Sequence, residues 1–172
     1  MMNVRSSACS GPSGIRERIA SARSLLPEGR DALRQNAALG GLLEALREKA
    51  EASRAALIRY GVAEECRRCE EEEGGSCCGA GIEDKYSVEI LLINLLLGSN
   101  LPEERRFEKS CHFLGETGCA LLVRDTLCVN YLCRTLQNKL THDDLISLQT
   151  IAGEEMDAAF RLHEKIRNSL RR

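Results

Sequence analysis

The sequence has little of what several classes of protein depend on. It contains no Trp, three Tyr and three Phe, so it offers few rings on which nucleic-acid bases could stack. Its formal net charge is −2, whereas nucleic-acid-binding domains are usually strongly basic. Its longest apolar run, ILLINLLLG at positions 90–98, is far shorter than the ~20 residues of a membrane-spanning helix. We therefore expect neither a nucleic-acid partner nor a membrane partner.

The N-terminal stretch MMNVRSSACSGPSG lacks the apolar segment of a secretory signal. We therefore expect a cytoplasmic protein, with residues 1–13 forming a flexible tail and residues 14–172 a single helical domain. In a reducing compartment, the nine cysteines of the chain favour metal binding over disulfides, although disulfides or scattered buried thiols remain alternatives.

Helical periodicity dominates the chain on both sides of the cysteines. Residues 14–61 are predicted to be helical, with an interruption near Pro27 and Gly29. From Asp31 onward, apolar or small residues recur at alternating spacings of four and three: Ala32, Asn36, Leu39, Leu43, Leu46, Ala50, Ser53 and Leu57. A second such stripe follows the capping-box-like sequence THDD at Thr141: Leu145, Leu148, Ala152, Met156, Ala159, His163, Ile166 and Leu170.

Together these patterns predict an all-α fold, because no strand pattern of period two is present. We expect a helical bundle in which two long antiparallel amphipathic helices flank a cysteine-rich, loop-containing metal-binding region at 66–133. Gly61 is predicted to end the first long helix, and close packing is expected to compensate for Gly40 and Gly41. A short buried helix is predicted at 87–97, followed by a turn or short helix in LPEERRF. The long helices would also allow a homodimer.

The cysteines are the strongest functional signal. Cys9 stands alone in the tail, while eight others fall within residues 66–133 and are candidate metal ligands: Cys66, Cys69, Cys77, Cys78, Cys111, Cys119, Cys128 and Cys133. The spacing in CRRC lets two sulfurs converge on one metal. Consecutive side chains point in different directions, so Cys77 and Cys78 are not expected to bind one metal ion together. They favour two metal centres, or one polynuclear cluster with the other cysteine beside it. Glycines around this pair allow the backbone to approach sulfur closely.

The segment from Cys66 to Cys133 resembles the YkgJ-type cysteine-cluster family of zinc- or iron-chelating domains. CRRC with CC matches the CxxC-plus-CC element of that family, and CHFL at 111–114 matches its CpfL box. TGCALL and RDTLCVNYLC match its GxC box and its RPxxCRxfpC-like end. This chain departs from the pattern in a longer spacer after Cys69, in Asp125 for proline and in Val129 for arginine. The resemblance implies a metal centre built from these cysteines.

Thiolate ligands exclude calcium and magnesium but suit both zinc and iron–sulfur centres. A zinc ribbon normally brings two CxxC pairs and this chain has one, which favours a cluster. In the resembling family, relatives fused to flagellin lysine N-methylases are associated with such a cluster. We therefore expect an iron–sulfur protein of electron transfer or redox sensing, with a redox or protein partner. The alternative is a structural zinc module whose helices bind a partner protein.

Few other side chains are candidates for a functional role. His112 follows Cys111 and is either a nitrogen ligand or an exposed or helix-capping histidine. The acids at 70–73 form either a docking surface for a basic redox partner or a solvated loop. No catalytic residue can be assigned, because no nucleophile–base order or phosphate-binding motif is present. Whether the protein is an enzyme is left open.

Overall fold

The computed structural model describes residues 14–72 and 78–170, apart from the side chains of Glu70 and Leu170. The predicted tail and Cys77 lie outside these residues. Most of the described chain is helical, which confirms the all-α prediction. The helices are α1 (Ile15–Ser24), α2 (Leu26–Gln35), α3 (Ala37–Arg59), α4 (Val62–Glu72), a 3-10 helix (Ile82–Lys85), α5 (Val88–Leu96), α6 (Thr126–Asn130), α7 (Arg134–Lys139) and α8 (His142–Leu170). Two-residue strands β1 (Leu114–Gly115) and β2 (Gly118–Cys119) pair antiparallel.

The two longest helices, α3 and α8, form the most extensive interface among the described elements. They run in opposite directions, since Leu39 and Ile166 belong to one apolar cluster while Ala56 and Leu148 belong to another. An ion pair between Lys49 and Glu154, 2.7 Å long, crosses the middle of the interface. The long helices therefore pair within one chain, along the stripes that the sequence predicts.

The first long helix begins later than predicted. Asn36, which the periodicity places in the stripe, has an extended backbone, and its side chain accepts a hydrogen bond from the Leu39 amide at 3.2 Å. It caps α3, because an asparagine at this position satisfies an amide that the first turn leaves unpaired. Ala32 therefore belongs to α2, and the chain bends between the two helices.

The glycines inside α3 and just after its end have different surroundings and conformations. A Cβ atom at Gly40 or Gly41 would meet nothing within 4 Å, so the expectation that close packing compensates for these glycines is wrong. Gly61 has a φ of 70°, a left-handed conformation that favours glycine. The prediction that Gly61 ends the helix is confirmed, and the chain continues directly into α4.

Helix α5 lies among α1, α2 and α8. The Ser87 side chain caps its first turn by accepting a hydrogen bond from the Ile90 amide at 3.3 Å. Leu91, Leu92 and Ile93 are fully buried, which confirms the predicted buried helix. The turn or short helix expected from LPEERRF is a turn: bends at 103–104 and 106–107 lead into it, and the Ser110 amide donates a hydrogen bond to the Phe107 carbonyl at 3.1 Å. No helix in the described part of the chain is both long enough and apolar enough to cross a membrane.

Candidate metal centre

Backbone pairing brings three cysteines towards one another. The Cys111 amide donates a hydrogen bond to the Cys78 carbonyl at 2.5 Å, and the Ala80 amide donates to the Lys109 carbonyl at 3.0 Å. Residues 78–80 therefore run alongside 109–111. The hairpin of β1 and β2 then places Cys119 opposite Leu114, three residues after Cys111. Segments more than thirty residues apart in the sequence meet in this way.

Tyr86 ties the fourth cysteine to this arrangement. Its side chain is buried, with 1% of its surface exposed, and it packs edge-on against Phe113 with ring centroids 5.0 Å apart. The Tyr86 hydroxyl donates to the Cys128 sulfur at 3.9 Å and accepts a hydrogen bond from the Asp125 amide at 3.0 Å. A single buried hydroxyl thus fixes the start of α6 and the sulfur that this helix carries.

Asp125 shows why α6 begins where it does. Its carboxylate accepts a hydrogen bond from the Leu127 amide at 2.9 Å, as an N-cap. Asp125 and Val129 are positions where the sequence departs from the pattern that it resembles. Asp125 caps the start of α6, and Val129 is buried within it.

We call Cys78, Cys111, Cys119 and Cys128 the central thiol group. Burial, together with the sulfurs of Cys119, Cys128 and Cys111, raises the pKa of Cys78 to about 12. Burial, together with the sulfurs of Cys119 and Cys128, also raises the pKa of Cys111 to about 12. The pKa values of Cys119 and Cys128 are raised as well, mainly by burial. The Cys78 sulfur is therefore within electrostatic range of the other three, and the Cys111 sulfur is within range of Cys119 and Cys128.

The remaining described cysteines lie around this group. Cys66 and Cys69 are three residues apart on α4, so they share one side of that helix. The Cys66 sulfur contributes to the raised pKa of Cys78, which puts it within electrostatic range of the central thiol group. Cys133 precedes α7 and packs with Val62 and Leu136 in the second apolar cluster. The structure therefore divides the predicted ligands into a central and an outer set.

Two observations describe the chemical state of the cysteines. No disulfide joins any two of the seven described cysteines. Within residues 14–72 and 78–170, no group of three or more His, Cys, Asp or Glu side chains is arranged to hold a metal ion. The donor chemistry of the central thiol group nevertheless suits a soft metal, because four thiolates are the ligand set of both zinc and iron–sulfur centres.

The other candidate groups have structural contacts. His112 is buried, so the prediction of an exposed or helix-capping histidine is wrong: its Nε2 lies 3.0 Å from the Pro102 carbonyl, and its ring packs edge-on against Phe113. The loop prediction for the acids at 70–73 is wrong for those that are described, because Glu71 and Glu72 lie on α4 and form ion pairs with Arg67 and Arg68 on its exposed surface. The described acids are thus balanced by cations of the same helix.

Sequence reasoning missed Tyr86 and the cations near Cys119. Arg54 on α3 donates hydrogen bonds to the carbonyls of Cys119 and Leu121. Arg124 lies in the segment between Cys119 and Cys128 and forms an ion pair with Glu155 of α8. No local spacing marks these residues, because each acts on partners distant in the sequence.

Comparison of the chain with known protein families, with curated proteins and with solved structures finds no match.

Proposed function

We propose that the protein carries a thiolate-ligated iron–sulfur cluster and functions in electron transfer or redox sensing. In this proposal the central thiol group supplies the ligands. The observation that carries it is that backbone pairing brings the segments of Cys78, Cys111 and Cys119 alongside one another, while the Tyr86 hydroxyl contacts the Cys128 sulfur. The spacing-based resemblance to the YkgJ-type family supports the same kind of centre.

The burial of these thiols favours metal binding over thiol catalysis. A catalytic cysteine needs a lowered pKa to be a thiolate at neutral pH, whereas burial raises the pKa of Cys78 and of Cys111 to about 12. Metal binding removes this obstacle, because a coordinated thiol loses its proton and the cation balances the negative charge. Buried, mutually repelling thiols are therefore suited to a bound cation.

The surroundings of Cys128 suit electron transfer. Leu127 and Tyr131, on α6 and directly after it, expose 48% and 54% of their surfaces. Cys128 lies between them, so this side of the central thiol group is close to the protein surface. A bound iron–sulfur cluster would supply one-electron chemistry. In this proposal the cluster would lie near the surface on the side of Cys128 and against the apolar core on the other side.

Purification without oxygen separates the proposal from its alternative. We expect a coloured protein with broad visible absorption and with iron and sulfide in stoichiometric amounts. A colourless protein that contains zinc and no iron, even after incubation with iron and sulfide, would overturn the iron–sulfur proposal. It would support the alternative, a structural zinc module whose helices bind a partner protein.

Single substitutions test which thiols are ligands. We expect Cys111→Ser and Cys119→Ser each to lower the iron content of the purified protein at least severalfold, because a serine oxygen is a poor ligand for this centre. Cys133→Ser is the matched control, since Cys133 packs in the second apolar cluster, and it should retain the metal. Full iron content in both central variants would show that the ligand assignment is wrong.

A further inference from the structure

We propose that Arg124 and Arg54 are charge-compensating residues that raise the reduction potential of the centre held by the central thiol group. This inference rests on the proposed function, because it requires a redox-active centre. Neither arginine belongs to the proposed ligand set. Arg124 begins the RDTLCVNYLC segment that carries the resemblance, whereas Arg54 lies outside it.

Arg124 is held in place beneath the segment that carries Cys119 and Cys128. Its side chain is only 10% exposed. Its Nη2 atom donates a hydrogen bond to the Ser53 hydroxyl of α3 at 3.3 Å and lies 3.6 Å from the Glu155 carboxylate of α8. The guanidinium is therefore anchored to both long helices, and its position relative to the cysteine segment is fixed.

Arg54 approaches the same segment from α3. It donates to the Cys119 carbonyl, and its second guanidinium nitrogen donates to the Leu121 carbonyl at 3.4 Å. Arg124 itself lies five residues after Cys119 and four residues before Cys128. One fixed cation from α3 and one from the cysteine segment therefore lie beside the chain that carries Cys119.

The contacts of Arg124 are poorer than a structural clamp requires. A buried ion pair stabilises a fold only when its geometry is good and its remaining hydrogen bonds are made. The Nη2 atom of Arg124 lies 3.6 Å from the carboxylate of the fully buried Glu155, which is longer than a good hydrogen bond. Because an arginine is always charged, the pair places a fixed cation beside the cysteine segment.

The direction of the effect follows from the charge that reduction adds. One electron enters the centre from the reductant, no bond of the protein forms or breaks, and the centre becomes more negative by one charge. A nearby fixed cation stabilises the reduced form more than the oxidised form. Its removal must therefore lower the reduction potential.

Dye-equilibrated reduction of the anaerobic protein measures this potential. At a given applied potential, we expect the ratio of reduced to oxidised centre to be about tenfold lower in Arg124→Gln than in the natural chain. For a one-electron centre this corresponds to a reduction potential lower by about 59 mV. Arg124→Lys keeps the charge, so its reduction potential should stay close to that of the natural chain. The matched control is Arg161→Gln on α8, since Arg161 is 65% exposed and pairs only with Asp157 among the described acids. This control should leave the potential unchanged.

The outcomes separate the two proposals. A coloured Arg124→Gln protein with the potential of the natural chain would overturn the inference and leave the iron–sulfur proposal standing. A natural chain that holds no iron would overturn the proposed function, and the inference with it. If Arg124→Gln fails to fold, Arg54→Gln takes its place in the experiment. It should also have a lower reduction potential, and an unchanged potential would overturn the inference.

Discussion

Buried polar side chains in this protein divide into those whose hydrogen bonds are complete and those whose hydrogen bonds are not. Asn94 is completely buried, and its amide group donates to the carbonyls of Ile90 and Val123 at 3.0 and 2.9 Å. Its oxygen accepts hydrogen bonds from the Val123 amide at 3.0 Å and from the Ser99 hydroxyl at 3.3 Å. The Asn94 side chain thus pairs with both backbone groups of Val123, as a neighbouring strand would, in the segment that leads to Cys128. Glu155 is as deeply buried, but its contact with Arg124 is an ion pair 3.6 Å long.

This contrast predicts a large effect of Asn94→Leu. The substitution keeps the approximate size of the side chain but leaves both backbone groups of Val123 buried without partners. Each such group costs about 1–3 kcal/mol, so we expect the free energy of unfolding to fall by about 3 kcal/mol in urea denaturation. The same substitution at Asn168, on an exposed position of α8, should change it by less than ~0.5 kcal/mol. Equal stabilities of the two variants would contradict the role of Asn94.

At the scale of the elements, Gly40 inside α3 and Gly61 just after it allow a test of the effect of backbone conformation alone. A Cβ atom would meet nothing within 4 Å at either Gly40 or Gly61. Gly40 lies inside α3, whereas Gly61 has a φ of 70°. The space around the two residues is the same, and only the backbone conformation differs.

We therefore expect the same substitution to have opposite effects at these two positions. Gly40→Ala should raise the free energy of unfolding by about 0.5–1 kcal/mol, because alanine loses less backbone entropy in a helix. Gly61→Ala should lower it by about 1 kcal/mol, because a left-handed conformation is strained for residues with a Cβ atom. Thermal unfolding of the two variants beside the natural chain measures both. A destabilised Gly40→Ala protein would show that α3 is packed more closely there than the structure has it.

The elements also show which structural features periodicity can predict. The stripes predict α3, α5 and α8, since each buries a continuous face and most of its stability comes from that burial. The THDD cap is confirmed, because Thr141 and Asp144 exchange hydrogen bonds of 3.2 Å. Periodicity misses the cap at Asn36, because it counts every residue at the right spacing as part of the stripe. It also misses α6 and α7, which are too short to show a period and depend on Asp125 and on tertiary contacts.

At the scale of the whole molecule, the cysteines lie against two apolar clusters. The main cluster contains Cys111 together with Tyr86, Phe113 and Leu121, and the second has Cys133 packed against it. The number and spacing of the cysteines predict that some of them converge. They do not predict which, because this depends on Tyr86 and on the short hairpin, and neither has a sequence signal. The candidate centre is therefore attached to the folded core and does not form a separate loop domain.

This attachment limits what removal of the proposed metal can do. From the sequence we expect chelation to loosen residues 66–133 before the long helices, because metal binding contributes to the free energy of folding. Tyr86, Phe113 and Leu121 are buried in the main cluster, however, and apolar burial does not depend on metal. We therefore expect chelation to increase amide hydrogen exchange in 78–81 and in 114–130, with little change in α3, α5 or α8.

Hydrogen exchange measured by mass spectrometry, before and after chelation, resolves these segments. The Cys111→Ser protein is the comparison, because in the absence of metal it should already exchange like the chelated natural chain and should not respond to the chelator. Faster exchange throughout α3 and α8 would mean that the core depends on the metal. No change in 114–130 in a protein that has lost its metal would mean that the central thiol group does not hold it. Because α6 meets the rest of the centre through the Tyr86 hydroxyl, its amides should respond most strongly of all.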